Sequence, residues 1–426
     1  MLFHPERVAL AGLLVWLLLW LIAPLDQVFP LAWQPMAYMA AGYAGFWLGC
    51  LALSGRLKRV IAPQRRRQFG ARAFWLVLLI GVAGMALRLY DKFFIRGIDL
   101  TVDAMESREL LADAEAGPLA AVGGVLYPFC YVPLMLWWAR HRDSGLPGWA
   151  RPLAIAAFVL PAVDALILLS RSQMLVALSM MYLSAACVLY QGQPLHARLV
   201  RPLLIGFTAL LGISVAAFMS RLGQMDMDII FSILNSAYGY VLTPNKTALL
   251  LIGENGLAGR SLAALLPLSQ YYLHGVYEFS LLWTRPDAQV FTLGTQHFAP
   301  YIKAASIFKL ITYPDFGTND IYYRTGVFTT FFGPLWADFA WGGPLFTMLL
   351  GMLAKRCGQW AREGRIAVMP LYAYLCVVVF FMPVVNLLVS AQGMYIVNAF
   401  VLVALLFGRH RRSAAPLPSA VAQGSA

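Results

Sequence analysis

Residues 202–219 read PLLIGFTALLGISVAAFM, and residues 220–246 read SRLGQMDMDIIFSILNSAYGYVLTPNK. The first stretch carries no charge and is close to the ~20 residues that an α-helix needs to cross a bilayer. The second introduces Arg221, Asp226, Asp228, Asn235 and Asn245 among tyrosines. From 220 to 332 the chain stays rich in Tyr, Phe, Asn, Gln, His, Arg and Asp, and at Gly333 the long apolar runs resume. Spanning runs therefore flank one long polar and aromatic segment.

The chain has 426 residues, 60% hydrophobic and 12% charged, with mean hydropathy +0.69. A soluble globular chain carries about 25% charged residues, so this composition is that of an integral membrane protein. Apolar runs cover roughly 8–23, 34–54, 73–89, 118–139, 152–170, 173–190, 202–219, 333–354, 367–387 and 389–408, each near spanning length. They lack the two-residue alternation of barrel strands, and helices satisfy their own backbone in lipid. The expected fold is an all-α polytopic membrane protein with about 10 transmembrane helices (range roughly 10–12). The expected division is an N-terminal bundle over 1–219 (about seven helices, with a loop at 90–117), a long external segment over 220–332, a C-terminal bundle over 333–412 (about three helices) and a disordered tail over 413–426.

Net charge is +12, but its placement argues for topology rather than nucleic acid. About 20 of the 32 basic residues fall in the loops at 56–72, 140–151, 198–201, 355–365 and 409–412 or at Arg7, beside only Glu6, Asp143 and Glu363. This positive-inside bias places both termini in the cytoplasm and the loops 90–117 and 220–332 outside. The N-terminal run reads as an uncleaved first helix. Cys50, Cys130, Cys187, Cys357 and Cys376 lie in or beside helices, so no disulfide framework is implied.

Several groups could do chemistry outside the membrane. Arg88, Lys92, Arg96 and Arg108 follow the third apolar run among many acids; they either contact an anionic head group or sugar, or form a solvated loop with internal ion pairs. Asp164 inside an apolar run is costly and must face a cavity or a partner; Arg171, seven residues on, is one such partner, or else sits at the outer interface to grip phosphate. Arg221 occupies a similar level. The segment 261–285, SLAALLPLSQYYLHGVYEFSLLWTR, reads as a helix on or dipping into the outer surface. His274, Glu278 and Arg285 share one face of it, either as an acid/base pair with a cation or as an ordinary pair on a wet face. Downstream, Gln296, His297, Asn319, Tyr323 and Arg324 lie in a polar, aromatic stretch suited to sugars, although such rings also anchor helices at interfaces. A zinc set of His274, Glu278 and His297 is sparse and has no His-Glu-x-x-His spacing. No metal or cofactor is expected.

Taken in order, Arg171-Ser172, His274-Gly275-Val276-Tyr277-Glu278, Gly294-x-Gln296, Thr318-Asn319 and Gly333-Pro334-Leu335-x-x-Asp338-Phe339-x-x-Gly342 resemble the oligosaccharide repeat-unit polymerases, the O-antigen polymerase family. The resemblance spans roughly residues 80–400, with Asp338-Phe339-Ala340 where that family often has Asp-Phe-Gly. It implies a bacterial inner-membrane glycosyltransferase with a periplasmic site. Such an enzyme moves a glycan chain from undecaprenyl diphosphate to the next lipid-linked repeat unit, for O-antigen, capsule or exopolysaccharide. Partners implied are the lipid-linked oligosaccharide, membrane lipids, a flippase and a chain-length regulator, with no nucleic acid. On that reading His274 and Glu278 are the candidate bases. Arg171, Arg221, Arg285 and Arg324 collect leaving-group charge, and Arg96, Arg108, Tyr277, Gln296, His297, Asn319 and Tyr323 contact glycan. A flippase or transporter for the same lipid, or an O-antigen ligase, remains the alternative.

Overall fold

The computed structural model describes residues 4–53, 71–98, 117–139, 145–167, 229–254, 256–284, 291–312, 321–324, 326–362 and 365–407, with isolated positions between 176 and 212. The protein is mostly helical. Helices α1 (Pro5–Ile22), α2 (Trp33–Ala52), α3 (Ala71–Tyr90), α4 (Pro118–Leu126), α5 (Val132–Ala139) and α6 (Ala150–Ile167) precede the long central segment. Within it lie α7 (Ile229–Leu234), α8 (Lys246–Gly253), α9 (Leu257–Thr284) and α10 (Ala299–Ile307). Helices α11 (Phe332–Phe339), α12 (Gly343–Arg362), α13 (Met369–Phe380) and α14 (Ser390–Phe407) follow.

Among the described residues four helical stretches are long and apolar enough to cross a membrane: Pro5–Ile22, Ala71–Ile95, Pro118–Trp137 and Phe332–Ala361. Shorter apolar helices cover Ile366–Phe380 and Gly393–Phe407. Helices α2 and α6 fall on two more of the expected runs, while 173–190 and 202–219 lie largely outside the described residues. Leu18, Leu79 and Leu405 are 58%, 66% and 64% exposed; apolar side chains turned outward along whole helices belong to a surface that meets lipid.

The run expected as one helix over 333–354 is broken at Ala340–Gly342, a short 3₁₀ turn entered through Ala340 at φ 47°. Pro344 has no N–H to give to the Ala340 carbonyl four residues earlier. The Tyr38 hydroxyl of α2 donates to that carbonyl instead, at 2.8 Å, and Gly343 lets Tyr38 approach where any Cβ would collide with its hydroxyl. Below this joint α2 and α12 pack closely: a Cβ at Gly45 or Gly49 would strike the backbone of Pro344 or Met348, the small-residue contact typical of helices in lipid.

The central segment is tied to the N-terminal helices by a two-stranded antiparallel clip. Strand β1 (Leu25–Gln27) follows α1, and β2 (Leu242–Pro244) precedes α8, with Asp26 opposite Thr243. The asparagine of the Asn245-Lys246-Thr247 sequon caps α8, its side chain accepting from the Ala248 N–H at 2.9 Å, a normal N-cap role.

Candidate functional site

Helix α9 covers most of the segment 261–285 read above as a helix on or dipping into the outer surface. Its second half is buried against α1, the 23–32 turn and β2. Trp20 Nε1–H donates to the Tyr277 hydroxyl at 2.9 Å, the Ala32 N–H to Ser280 Oγ at 2.9 Å, and Gln270 Nε2–H to the Leu242 carbonyl at 2.7 Å. His274 and Glu278, one turn apart, share a face as expected, and that face is buried rather than wet.

His274 is fully engaged. Its Nε2 accepts the Phe328 N–H at 3.2 Å, which leaves the proton on Nδ1, 3.1 Å from the Gln270 carbonyl. Tyr238, Tyr271 and Phe328 surround the ring. Burial without a carboxylate partner holds its pKa down at about 4, because a buried imidazolium has lost its hydration. His274 is thus neutral at pH 7 and ties α9 to the 326–331 strap. Gly275 beside it permits the close approach: a Cβ there would meet the Val384 carbonyl at 2.9 Å.

Glu278 is built differently. Its Oε1 accepts from Arg324 Nη1 at 2.6 Å, and Oε2 accepts no hydrogen bond among the described residues. Arg324 also donates from Nη2 to the Ala237 carbonyl at 2.6 Å. Its guanidinium carbon lies 4.3 Å from the centre of the Tyr240 ring, a cation–π contact. The Tyr240 and Tyr323 hydroxyls are 3.1 Å apart. Burial raises the Glu278 carboxyl to about 7, with Arg324 opposing that rise. The result is a carboxyl that exchanges a proton near neutral pH, held by a partly exposed cation that itself lies over the ring of Tyr240, an exposed tyrosine paired with Tyr323.

A second buried cluster gathers other expected site residues. Asp338 on α11 accepts on Oδ1 from the Thr292 hydroxyl and from the Gln296 N–H at 3.2 Å. On Oδ2 it accepts the His297 N–H at 2.8 Å and faces His297 Nδ1 at 2.6 Å. Asn386 Nδ2 is 3.0 Å from His297 Nε2 and also donates to the Phe331 carbonyl at 3.0 Å. The Tyr322 hydroxyl donates to Gln296 Oε1. Tyr322 therefore serves this cluster, while its neighbours Tyr323 and Arg324 serve the first.

A third cluster lies at the end of α3. Asp164 gives one carboxylate oxygen to Arg88 Nε at 2.7 Å and the other to Lys92 Nζ. The partner suggested by spacing, Arg171, lies outside the described residues. Arg96 pairs with Asp91 at 2.8 Å and so belongs to this cluster rather than to Glu278.

The structure brings together His274, Glu278, Tyr323 and Arg324 out of the expected site. It places Gln296 and His297 in the Asp338 cluster, Arg96 with Asp91, and Tyr277 against Trp20. Arg108, Arg171, Arg221, Arg285 and Asn319 lie outside the described residues. Sequence reasoning missed Tyr240, whose only signal was its aromatic character, and Asn386. A polar residue inside the apolar run 367–387 was a readable sign of a buried partner. Among the described residues no group of three or more His, Cys, Asp or Glu is arranged to hold a metal. Compared with known proteins, the chain matches no family model, no curated protein and no solved structure.

Proposed function

We propose that this protein is a multi-pass inner-membrane glycosyltransferase of the repeat-unit polymerase kind, with about ten membrane-spanning helices, cytoplasmic termini and a periplasmic site. Its donor is a glycan on undecaprenyl diphosphate and its acceptor the next lipid-linked repeat unit. The observation that carries the reading is the Glu278–Arg324 cluster: a buried carboxyl poised near neutrality, with one oxygen that accepts no hydrogen bond among the described residues and the other held by a cation that lies over Tyr240, itself paired with Tyr323.

In the proposed step the Glu278 carboxylate takes the proton of an acceptor sugar hydroxyl. That oxygen attacks the anomeric carbon and forms the new glycosidic bond. The bond from the anomeric carbon to the diphosphate oxygen breaks, and its electron pair leaves on the diphosphate. The proton then passes from Glu278 to solvent or to the released diphosphate. General-base help of this kind is worth about 10²–10⁴-fold. Arg324 supports the developing negative charge, with Arg171, Arg221 and Arg285 as further phosphate-binding candidates. Tyr240 and Tyr323 offer aromatic faces to a sugar. Glu278 is favoured over His274 as the base, since both His274 nitrogens are already engaged.

The test is to give the purified chain its lipid-diphosphate-linked repeat unit and follow the length of the product. A ladder is expected, with kcat/KM rising through pH about 7 as Glu278 loses its proton. Glu278→Gln should lose that limb and about 10²-fold or more in rate. No product longer than the starting unit would reject the polymerase reading, and an unchanged pH profile in Glu278→Gln would reject the base.

A further inference from the structure

The ion cluster at the end of α3 is unequal. Among the described residues, three cations (Arg88, Lys92, Arg96) meet two carboxylates (Asp91, Asp164), an excess of one positive charge. Arg88 and Lys92 stand one helical turn apart, so both point to the same side, and both are committed to the single carboxylate of Asp164. Lys92 is 6% exposed and Asp164 2%. An uncompensated charge in such surroundings is costly unless something pairs with it.

The geometry shows where that partner would sit. Asp164 takes only the Nε of Arg88. The two Nη groups have no acceptor among the described residues, and the Arg88 side chain is 21% exposed. The head group lies over the Tyr127 ring, 4.9 Å from its centre. Anchored at Nε and braced on an aromatic face, the guanidinium presents a fixed fork outward. Two parallel N–H donors match two oxygens of a phosphate. The backbone beyond Arg88 turns π-helical over Asp91–Ile95, a local distortion frequent at functional sites. Helix α3 is among the stretches able to cross a membrane, so an end of it is well placed to meet lipid head groups.

We propose that Arg88, backed by Lys92 and oriented by Asp164, binds the phosphate of an anionic lipid at the end of α3. Arg88 makes the contact, Lys92 adds positive charge behind it, and Asp164 is a positioning residue. This does not rest on the polymerase reading, and binding alone tests it.

Purified full-length protein is loaded with phosphatidylglycerol or with phosphatidylcholine, and retained lipid is counted by native mass spectrometry. A parallel arm titrates inorganic phosphate and follows melting temperature. The expected result is selective retention of phosphatidylglycerol, weakened about tenfold or more in Arg88→Gln, the loss of a charge-assisted hydrogen-bond pair. Lys92→Gln gives a second reading should Arg88→Gln fold poorly. Asp164→Asn is the decisive variant: with both cations unpaired, its melting temperature should become steeply dependent on phosphatidylglycerol. A merely structural triad would instead lose stability equally in both lipids. Stabilisation by inorganic phosphate but not by phosphatidylglycerol would overturn the lipid assignment. Equal retention of the two lipids, or equal retention by wild type, Arg88→Gln and Lys92→Gln, would overturn the site altogether.

Discussion

Asp338 and Glu278 are both buried carboxylates, on helices that touch one another, and they are wired in opposite ways. Asp338 accepts hydrogen bonds from two backbone N–H groups, from the Thr292 hydroxyl and from the His297 ring. Among the described residues Glu278 has a single donor, Arg324, which is itself partly exposed and shared with the Ala237 carbonyl. A saturated carboxylate joins segments: Asp338 fixes the 291–298 loop to α11, and Asn386 extends that joint to the chain between α13 and α14. An unsaturated one keeps a lone pair for a proton from elsewhere. Asp338 thus holds the fold, whereas Glu278 keeps the capacity that the proposed base needs, although the two are buried alike.

The sharpest way to break this contrast is to empty the saturated side. Asp338→Ala strands four donors in a buried site, and the expected loss is about 3–5 kcal/mol, in the range for breaking a buried charged network. Thermal melting of the detergent-purified protein checks this. A wild-type melting temperature would show that the Asp338 joint does not hold the loop.

Next comes the unsaturated side. Removing the cation in Arg324→Gln takes away the interaction that opposes burial at Glu278, so the carboxyl should move further above about 7. The folded state then binds a proton more readily than the unfolded chain, whose carboxyl titrates near 4.5. Stability must therefore fall as pH rises through the folded value. At pH 6 the variant holds a neutral Glu278 and should melt close to wild type. At pH 8.5 it should lose about 1–2 kcal/mol, a buried-pair cost discounted for the partial exposure of Arg324. A loss equal at both pH values would mean that Arg324 stabilises through packing, and that Glu278 does not feel it.

The two sides also differ in how legible they were. The length of the apolar runs alone placed α1, α3, the α4–α5 stretch and α14 within a few residues, because a helix that crosses lipid must be apolar along its whole length. The shared face of His274 and Glu278 followed from the 100° step of a helix. What spacing could not supply was any partner from another segment. Arg324 lies 46 residues from Glu278, and Asp164 is 76 from Arg88; such pairs are set by how helices stack. Nor could spacing show that both nitrogens of His274 are occupied, since one donor is the Phe328 backbone. The break at Ala340 was readable in principle from Gly342-Gly343-Pro344, but the compensating hydroxyl of Tyr38 comes from 302 residues away.

The smallest effect discriminates most finely between wall and machinery. Tyr240→Phe removes one hydroxyl from the contact with Tyr323 and keeps the ring beside Arg324. Tyr240 is 40% exposed, so stability should stay within about 0.5 kcal/mol of wild type. If the tyrosine pair lines the sugar-binding side of Glu278, the lost hydroxyl weakens ground-state and transition-state binding alike. That raises KM a few-fold and leaves kcat in place. If Tyr240 instead steadies Arg324 against Glu278, kcat falls and the pH limb near 7 shifts, with KM unchanged. Steady-state rates across pH 6 to 8.5 separate the two, and a variant identical to wild type in both constants would place the tyrosine pair outside the site altogether.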